Sequence, residues 1–225
     1  PELNLALLRI PDPAEVEALT PLVVANRLPA DYRFNIIQLD DTREFQSGGA
    51  QLVRITVDSL PDAPFHSIQL RLLVDLDIHA AGAPVLDGDG AIAGLVSSYD
   101  NSSRTAMALP ASVLARFLAD LEDGDYAGPA YAGFMWQPQV DPVKRHWLGA
   151  ADEDGGVQIL DSRTREADAD SGLQPMDVLI ELDGYPIDAM GYYRDPDYGR
   201  LLMPHLIKGR RAPGDTIPAT ILRDG

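Results

Sequence analysis

The sequence has no cysteine, so no disulfide, thiolate nucleophile or cysteine-ligated metal can form anywhere in its 225 residues. That absence identifies no compartment. Basic residues are scarce: 18 Lys and Arg stand against 35 Asp and Glu, a formal charge of −17 that repels phosphate backbones and anionic lipid surfaces. Nucleic acid is therefore not an expected partner. No run approaches the roughly 20 apolar residues of a membrane-spanning helix, and no basic segment followed by an apolar core opens the chain as a secretory signal would. The chain starts at Pro1 rather than Met and enters an apolar run at residues 5–10, which suggests a fragment whose upstream sequence was cut or left out. What is present, 45% hydrophobic and 24% charged residues, is the composition of a folded globular protein. The length suits two ordinary domains.

The first part reads as antiparallel β structure, with strands expected at residues 5–10, 34–39, 51–57, 68–76 and 91–97, separated by Gly, Asp, Pro and Ser clusters. A helix follows, with Pro110 tolerated in its first turn and Val113, Leu114, Phe117, Leu118 and Leu121 forming an apolar stripe. Residues 122–129 replace this periodicity with charge, Gly and Pro, and form the expected linker between domains at residues 1–124 and 129–225. Beyond it the pattern is mixed: a strand at Phe134, a helix at 142–148, and strands at 157–160 and 178–182. Tyr198, Leu201, Leu202, His205 and Leu206 share one face of a predicted helix that Pro204 kinks and Gly209 ends, before a last strand at 217–222.

Several clusters have ordinary explanations. Ser47-Gly48-Gly49 reads as a glycine-rich hairpin turn. Asp75, Asp77 and His79 alternate as they would on one strand face, where they could collect a divalent cation, yet a solvated face is the more common arrangement. Asp87-Gly88-Asp89-Gly90 lacks the downstream Glu of a calcium loop and reads as a tight turn. Ser97, Ser98, Ser102 and Ser103 surround Asp100 as loop residues. No metal site and no cofactor is expected.

Three motifs of the first part resemble HtrA/Deg-type trypsin-like serine proteases. Asn4-Leu5-Ala6-Leu7-Leu8-Arg9-Ile10 is similar to the strand that carries the family's catalytic Asp, with Asn4 at the Asp position. His79-Ala80-Ala81-Gly82-Ala83-Pro84-Val85 resembles the family's G-[ND]-S-G-G-P-[LV] nucleophile loop, with Ala81 at the Ser position. Ala106-Met107-Ala108-Leu109-Pro110 resembles the segment that ends the barrel. Acyl transfer needs a hydroxyl to attack, a His to take its proton and a carboxylate to orient that His. A methyl group at position 81 cannot attack, and Asn for the orienting carboxylate costs about 10⁴ in turnover in the best-studied serine proteases. The resemblance places the family's His upstream of the Asp strand, so none of His66, His79, His146 and His205 matches it. It implies the second barrel of a trypsin-like, chymotrypsin-fold protease plus the last strand of the first.

The second part resembles a PDZ domain. Tyr131-Ala132-Gly133-Phe134 is similar to the carboxylate-binding loop, and Gly155-Gly156-Val157-Gln158-Ile159-Leu160 to the strand that follows in protease-linked members. Residues 171–184, from Ser171-Gly172-Leu173 through Asp177-Val178-Leu179 to Asp183-Gly184, follow the pattern A-G-L-[KQ]-x-G-D-[VI]-[IL]-x-x-[IV]-[DN]-G and depart chiefly at Met176, where Gly is usual. Residues 191–201, then Gly214-Asp215 and Leu222-Arg223-Asp224-Gly225, resemble the insertion of plant-type and related bacterial Deg proteases. The fold implied is mainly β, a trypsin-like barrel followed by an α+β PDZ domain. The same resemblance implies a peptide-binding site of Tyr131, Ala132, Gly133, Phe134, Leu201, Leu202 and His205, although core packing is an equal expectation for each. Trp136 and Trp147 either anchor a peptide or close the core.

The expected function is a noncatalytic scaffold that binds peptide C-termini or unfolded segments. Two alternatives stay open: an active HtrA-like endopeptidase of protein quality control whose nucleophile has been replaced, and an assembly element that docks on its own barrel or a neighbouring subunit. Homo-oligomerisation is also open, and the resemblance alone points to an extracytoplasmic, periplasmic bacterial setting.

Overall fold

A computed structural model describes residues 2–17, 19–60, 63–122, 124, 126–150, 155–162 and 172–223. Ser171, Asp224 and Gly225 of the PDZ-like motifs, and the linker residues Asp123 and Asp125, lie outside the described residues. The chain divides into two compact units, 1–128 and 129–225.

In the first unit, a short helix α1 (Pro13–Glu17) precedes β1 (Arg33–Leu39), β2 (Phe45–Leu60), β3 (Ala63–Val74), β4 (Pro84–Leu86), β5 (Ile92–Asp100) and β6 (Thr105–Pro110). The six strands close an antiparallel barrel in the order β1-β2-β3-β6-β5-β4, and closure leaves no unpaired edge. Strand alternation makes the core: Phe34 and Ile36 of β1 point inward with Leu70, Leu72, Val85, Ala93 and Ala106. Helix α2 (Ala111–Ala119) follows directly, with Pro110 as its N-cap residue.

Four expectations fail here for physical reasons. Residues 5–10 form no strand, and Leu7 and Leu8 are 62% and 87% exposed. No described segment pairs with this run, and an unpaired strand would leave its backbone groups to water. Ser47-Gly48-Gly49 is not a turn but part of β2, where the missing side chains admit the Asp75 carboxylate; a Cβ at Gly48 would lie 2.6 Å from its Oδ1. The turn comes earlier, where Asp40 accepts hydrogen bonds from the backbone N–H groups of Thr42 and Glu44. Asp75, Asp77 and His79 share no strand face because β3 ends at Val74, and Ser97 and Ser98 belong to β5 rather than a loop.

The second unit contains β7 (Phe134–Pro138), α3 (Pro142–Trp147), β8 (Val157–Ser162), β9 (Val178–Leu182), β10 (Tyr185–Pro186), β11 (Tyr192–Asp195), β12 (Gly199–Leu202), α4 (Pro204–Lys208) and β13 (Ala219–Leu222). One sheet runs β10-β9-β8-β7 with β13 also on β9, and β11-β12 form a separate ribbon. Asp141 caps α3, accepting from Val143 N and Lys144 N just ahead of Pro142. The helix expected across 198–206 is instead a ribbon followed by α4. Asp195 Oδ1 accepts from Asp197 N and Tyr198 N to build the turn, and Pro204 starts a helix rather than kinking one.

The 171–184 motif proves structural over its described part. Asp177 accepts from Gln174 N and from both Nε and Nη2 of Arg223, each at 2.7 Å, while Val178 and Leu179 are fully buried. Asp183 and Gly184, with φ of 57° and 78°, link β9 to β10 by a two-residue turn with both residues left-handed. Met176 has φ of 81°, which explains why glycine suits that position. Met176→Gly is expected to stabilise the protein by up to ~1 kcal/mol, the lost strain outweighing the added freedom of the unfolded chain. Urea denaturation with an unchanged m-value checks it.

Candidate functional site

Ala81 sits in an exposed turn between β3 and β4, and Gly82 N donates to Val96 O at 2.7 Å. Three side chains tether the loop ahead of it. Gln38 donates from Nε2 to Asp77 O at 2.6 Å and accepts on Oε1 from His79 N at 3.1 Å. Asn101 bonds both backbone groups of Ile78, and the Tyr99 hydroxyl donates to His79 O. An oxyanion hole of the serine-protease kind uses the amides of the nucleophile position and of the residue two before it. At 81 there is no hydroxyl, and the amide at 79 already donates to Gln38. Asn4 lies in a bend with φ of 56°, well outside any strand. His66 contacts Ser59 instead of either position.

In the second unit, Gly133 has φ of 69° and leads into β7. Strand β7 ends its sheet: it pairs with β8 on one side and with no described strand on the other. Tyr131 is exposed, and Ala132, Gly133 and Phe134 are half-buried. Leu202 is half-buried, but Leu201 and His205 are only 1% and 6% exposed, so these two side chains face the interior rather than an open groove. Trp147 is 70% exposed and does not close a core, whereas the Trp136 ring packs over Gly191.

What buries His205 is a polar network invisible in the sequence. Asp195, with its side chain fully buried, accepts on Oδ2 from the Tyr193 hydroxyl at 2.8 Å and from Arg210 Nη2 at 2.9 Å. Tyr193 gives its one proton to the carboxylate, so His205 Nδ1, 2.5 Å from the phenol oxygen, is the donor to it. Burial alone would raise the Asp195 carboxyl; the hydrogen bonds from Tyr193, Asp197 N and Tyr198 N and the Arg210 charge outweigh it and hold it below the usual carboxylate range. Burial, then the Asp195 hydrogen bond, pushes the Tyr193 phenol far above its ordinary range.

No family model matches the chain. A curated relative, Serine protease HTR4 of Rattus norvegicus, is 26% identical over 152 residues, 63% of this chain and 29% of the relative. The chain thus spans less than a third of that relative's length. Among solved structures, the HtrA-type protease AlgW with a tripeptide superposes with a TM-score of 0.64 at 14% identity, over 91% of this chain and 65% of that one. The same protease with a decapeptide gives 0.61 at 16% identity, over 91% and 60%. Mainly β architecture, the shared fold and the sequence similarity together make this chain a homologue of the HtrA-type serine proteases.

Proposed function

We propose that this protein is a protease-fold scaffold without peptidase chemistry, which captures peptide C-termini or unfolded segments at the free edge of β7. In this reading residues 1–124 hold the second barrel of a trypsin-like protease, without the first barrel's last strand expected at 5–10, and residues 129–225 are a PDZ domain. The observation that carries it is the open edge of β7, entered through the left-handed Gly133. An extended peptide adds a strand to such an edge, and loop amides at its start receive a terminal carboxylate. Tyr131, Ala132, Gly133 and Phe134 form the entry, Leu202 contributes from β12, and Leu201 and His205 back the site from within. Bound peptides in the AlgW structures agree with this role. The methyl group of Ala81 and the engaged His79 amide argue against acyl transfer.

Fluorescence anisotropy with a library of labelled peptides tests the proposal. Peptides with a free α-carboxylate are expected to bind at least about tenfold more tightly than their amides, because the amide loses a charge-assisted hydrogen bond. Failure of every peptide in the library to bind would sink it.

A further inference from the structure

The β11-β12 ribbon places Arg194 directly opposite Arg200, with Tyr192 opposite Leu202. Alternation turns Tyr193, Asp195 and Leu201 into the core and leaves both arginines exposed. Like charges facing each other across an antiparallel pair repel, so the folded chain carries a local conflict. Its neighbours relieve only half of it. Arg200 pairs with Asp188 at 2.8 Å and lies over the Tyr192 ring, 3.9 Å from its centroid, which holds the guanidinium flat. Asp188 is itself fixed, accepting from Met190 N and Tyr192 N. Arg194 has no acidic partner among the described residues.

These groups line a cleft of about 650 Å³, together with Arg145 and Tyr185. Among the described lining residues only Asp188 is acidic and it is already paired with Arg200, so Arg194 leaves this wall locally positive in a chain whose formal charge is −17. The volume falls within the range of ligand pockets, and planar guanidinium forks fit carboxylates with two parallel hydrogen bonds. Tyrosine rings beside them suit the apolar stem of a side chain. A long polyanion would meet the repulsion of the acidic remainder, whereas a short segment bearing carboxylates would not. We propose that this cleft is a second binding site, which takes the side-chain carboxylates of an acidic polypeptide segment between Arg194 and Arg200. The inference is independent of peptide capture at β7.

The test uses the full chain and a fluorescein-labelled, glutamate-rich octapeptide, N-acetylated and C-amidated so that no terminal carboxylate is offered. Saturable binding is expected, weakening as salt rises, about tenfold poorer in Arg194→Gln and largely restored in Arg194→Lys. Without peptide, Arg194→Gln is expected to melt no lower than the parent, since it removes a repulsion. No saturable binding, equal binding by Arg194→Gln, a lower melting temperature for that variant, or displacement of the peptide by an equal concentration of inorganic phosphate or oligonucleotide would each overturn the proposal.

Discussion

Asp195→Ala is expected to destabilise the protein by about 2–4 kcal/mol, the cost of leaving the buried Tyr193 hydroxyl and two turn amides without their acceptor and the part-buried Arg210 without its counter-charge. The carboxylate joins four groups at 3.0 Å or less: the Tyr193 hydroxyl, Arg210 Nη2, Asp197 N and Tyr198 N. Its loss leaves the phenol proton without its acceptor and the guanidinium with the Tyr185 hydroxyl but no counter-charge, and undoes the turn that separates β11 from β12. Equilibrium denaturation reads the size, and a change below about 1 kcal/mol would show that water satisfies these groups as well as Asp195 does. The network also sets a pH dependence. The folded-state carboxyl titrates below its ordinary value, so its stabilisation is complete above about pH 4 and is lost as pH falls through the lowered value. Asp177 and Asp188 are lowered as well, in each case because partners outweigh burial, and they act in the same direction. Stability of the parent should therefore fall steeply under acid, and that of Asp195→Asn less steeply.

Gly191→Ala is expected to cost about 2–5 kcal/mol from two separate sources, left-handed strain of ~1–2 and overpacking of ~1–3. Gly191 has φ of 85°, and a Cβ there would lie 2.6 Å from two carbons of the Trp136 ring. The backbone cannot easily yield, since Gly191 N donates to Asp188 O and its carbonyl accepts from Met203 N. Displacing Trp136 disturbs β7 itself, so the proposed capture of C-terminal peptides should weaken along with the loss of stability. Gly199→Ala is the control: φ is 75° but nothing lies within 4 Å of its Cβ, so only the strain of ~1–2 kcal/mol applies. Equal losses in the two variants would refute the steric account.

Where burial alternates locally, as in β1 near the run at 34–39, the strand was legible because period-two patterning needs no distant partner, and β5 falls close to 91–97 as a short apolar run between turns. The β2 extension through Gly48 and Gly49 was not, since it depends on Asp75, a residue far along the chain. Leu201, Leu202 and Leu206 suit a helix by spacing alone, and only the Asp195 turn makes the first two a strand. Of the motif positions, Met176 stood out as an irregularity and the φ value accounts for it, and Gly133 has the left-handed φ that glycine permits, its carboxylate-binding role being a proposal. The Gln38 tether to His79 spans 41 residues, and the facing of Arg194 and Arg200 depends on hairpin register. Neither has any local signature in the sequence.

The tethers on residues 77–79 bear on what a hydroxyl at position 81 could do. If Ala81 occupies the nucleophile position, one codon change there would restore an oxygen, but the neighbouring amide would still donate to Gln38 rather than to a substrate carbonyl. On that reading, freeing this amide for an oxyanion would also require undoing a lock made by residues outside the loop. Gln38, Tyr99 and Asn101 thus make the present state of the loop hard to leave by single steps.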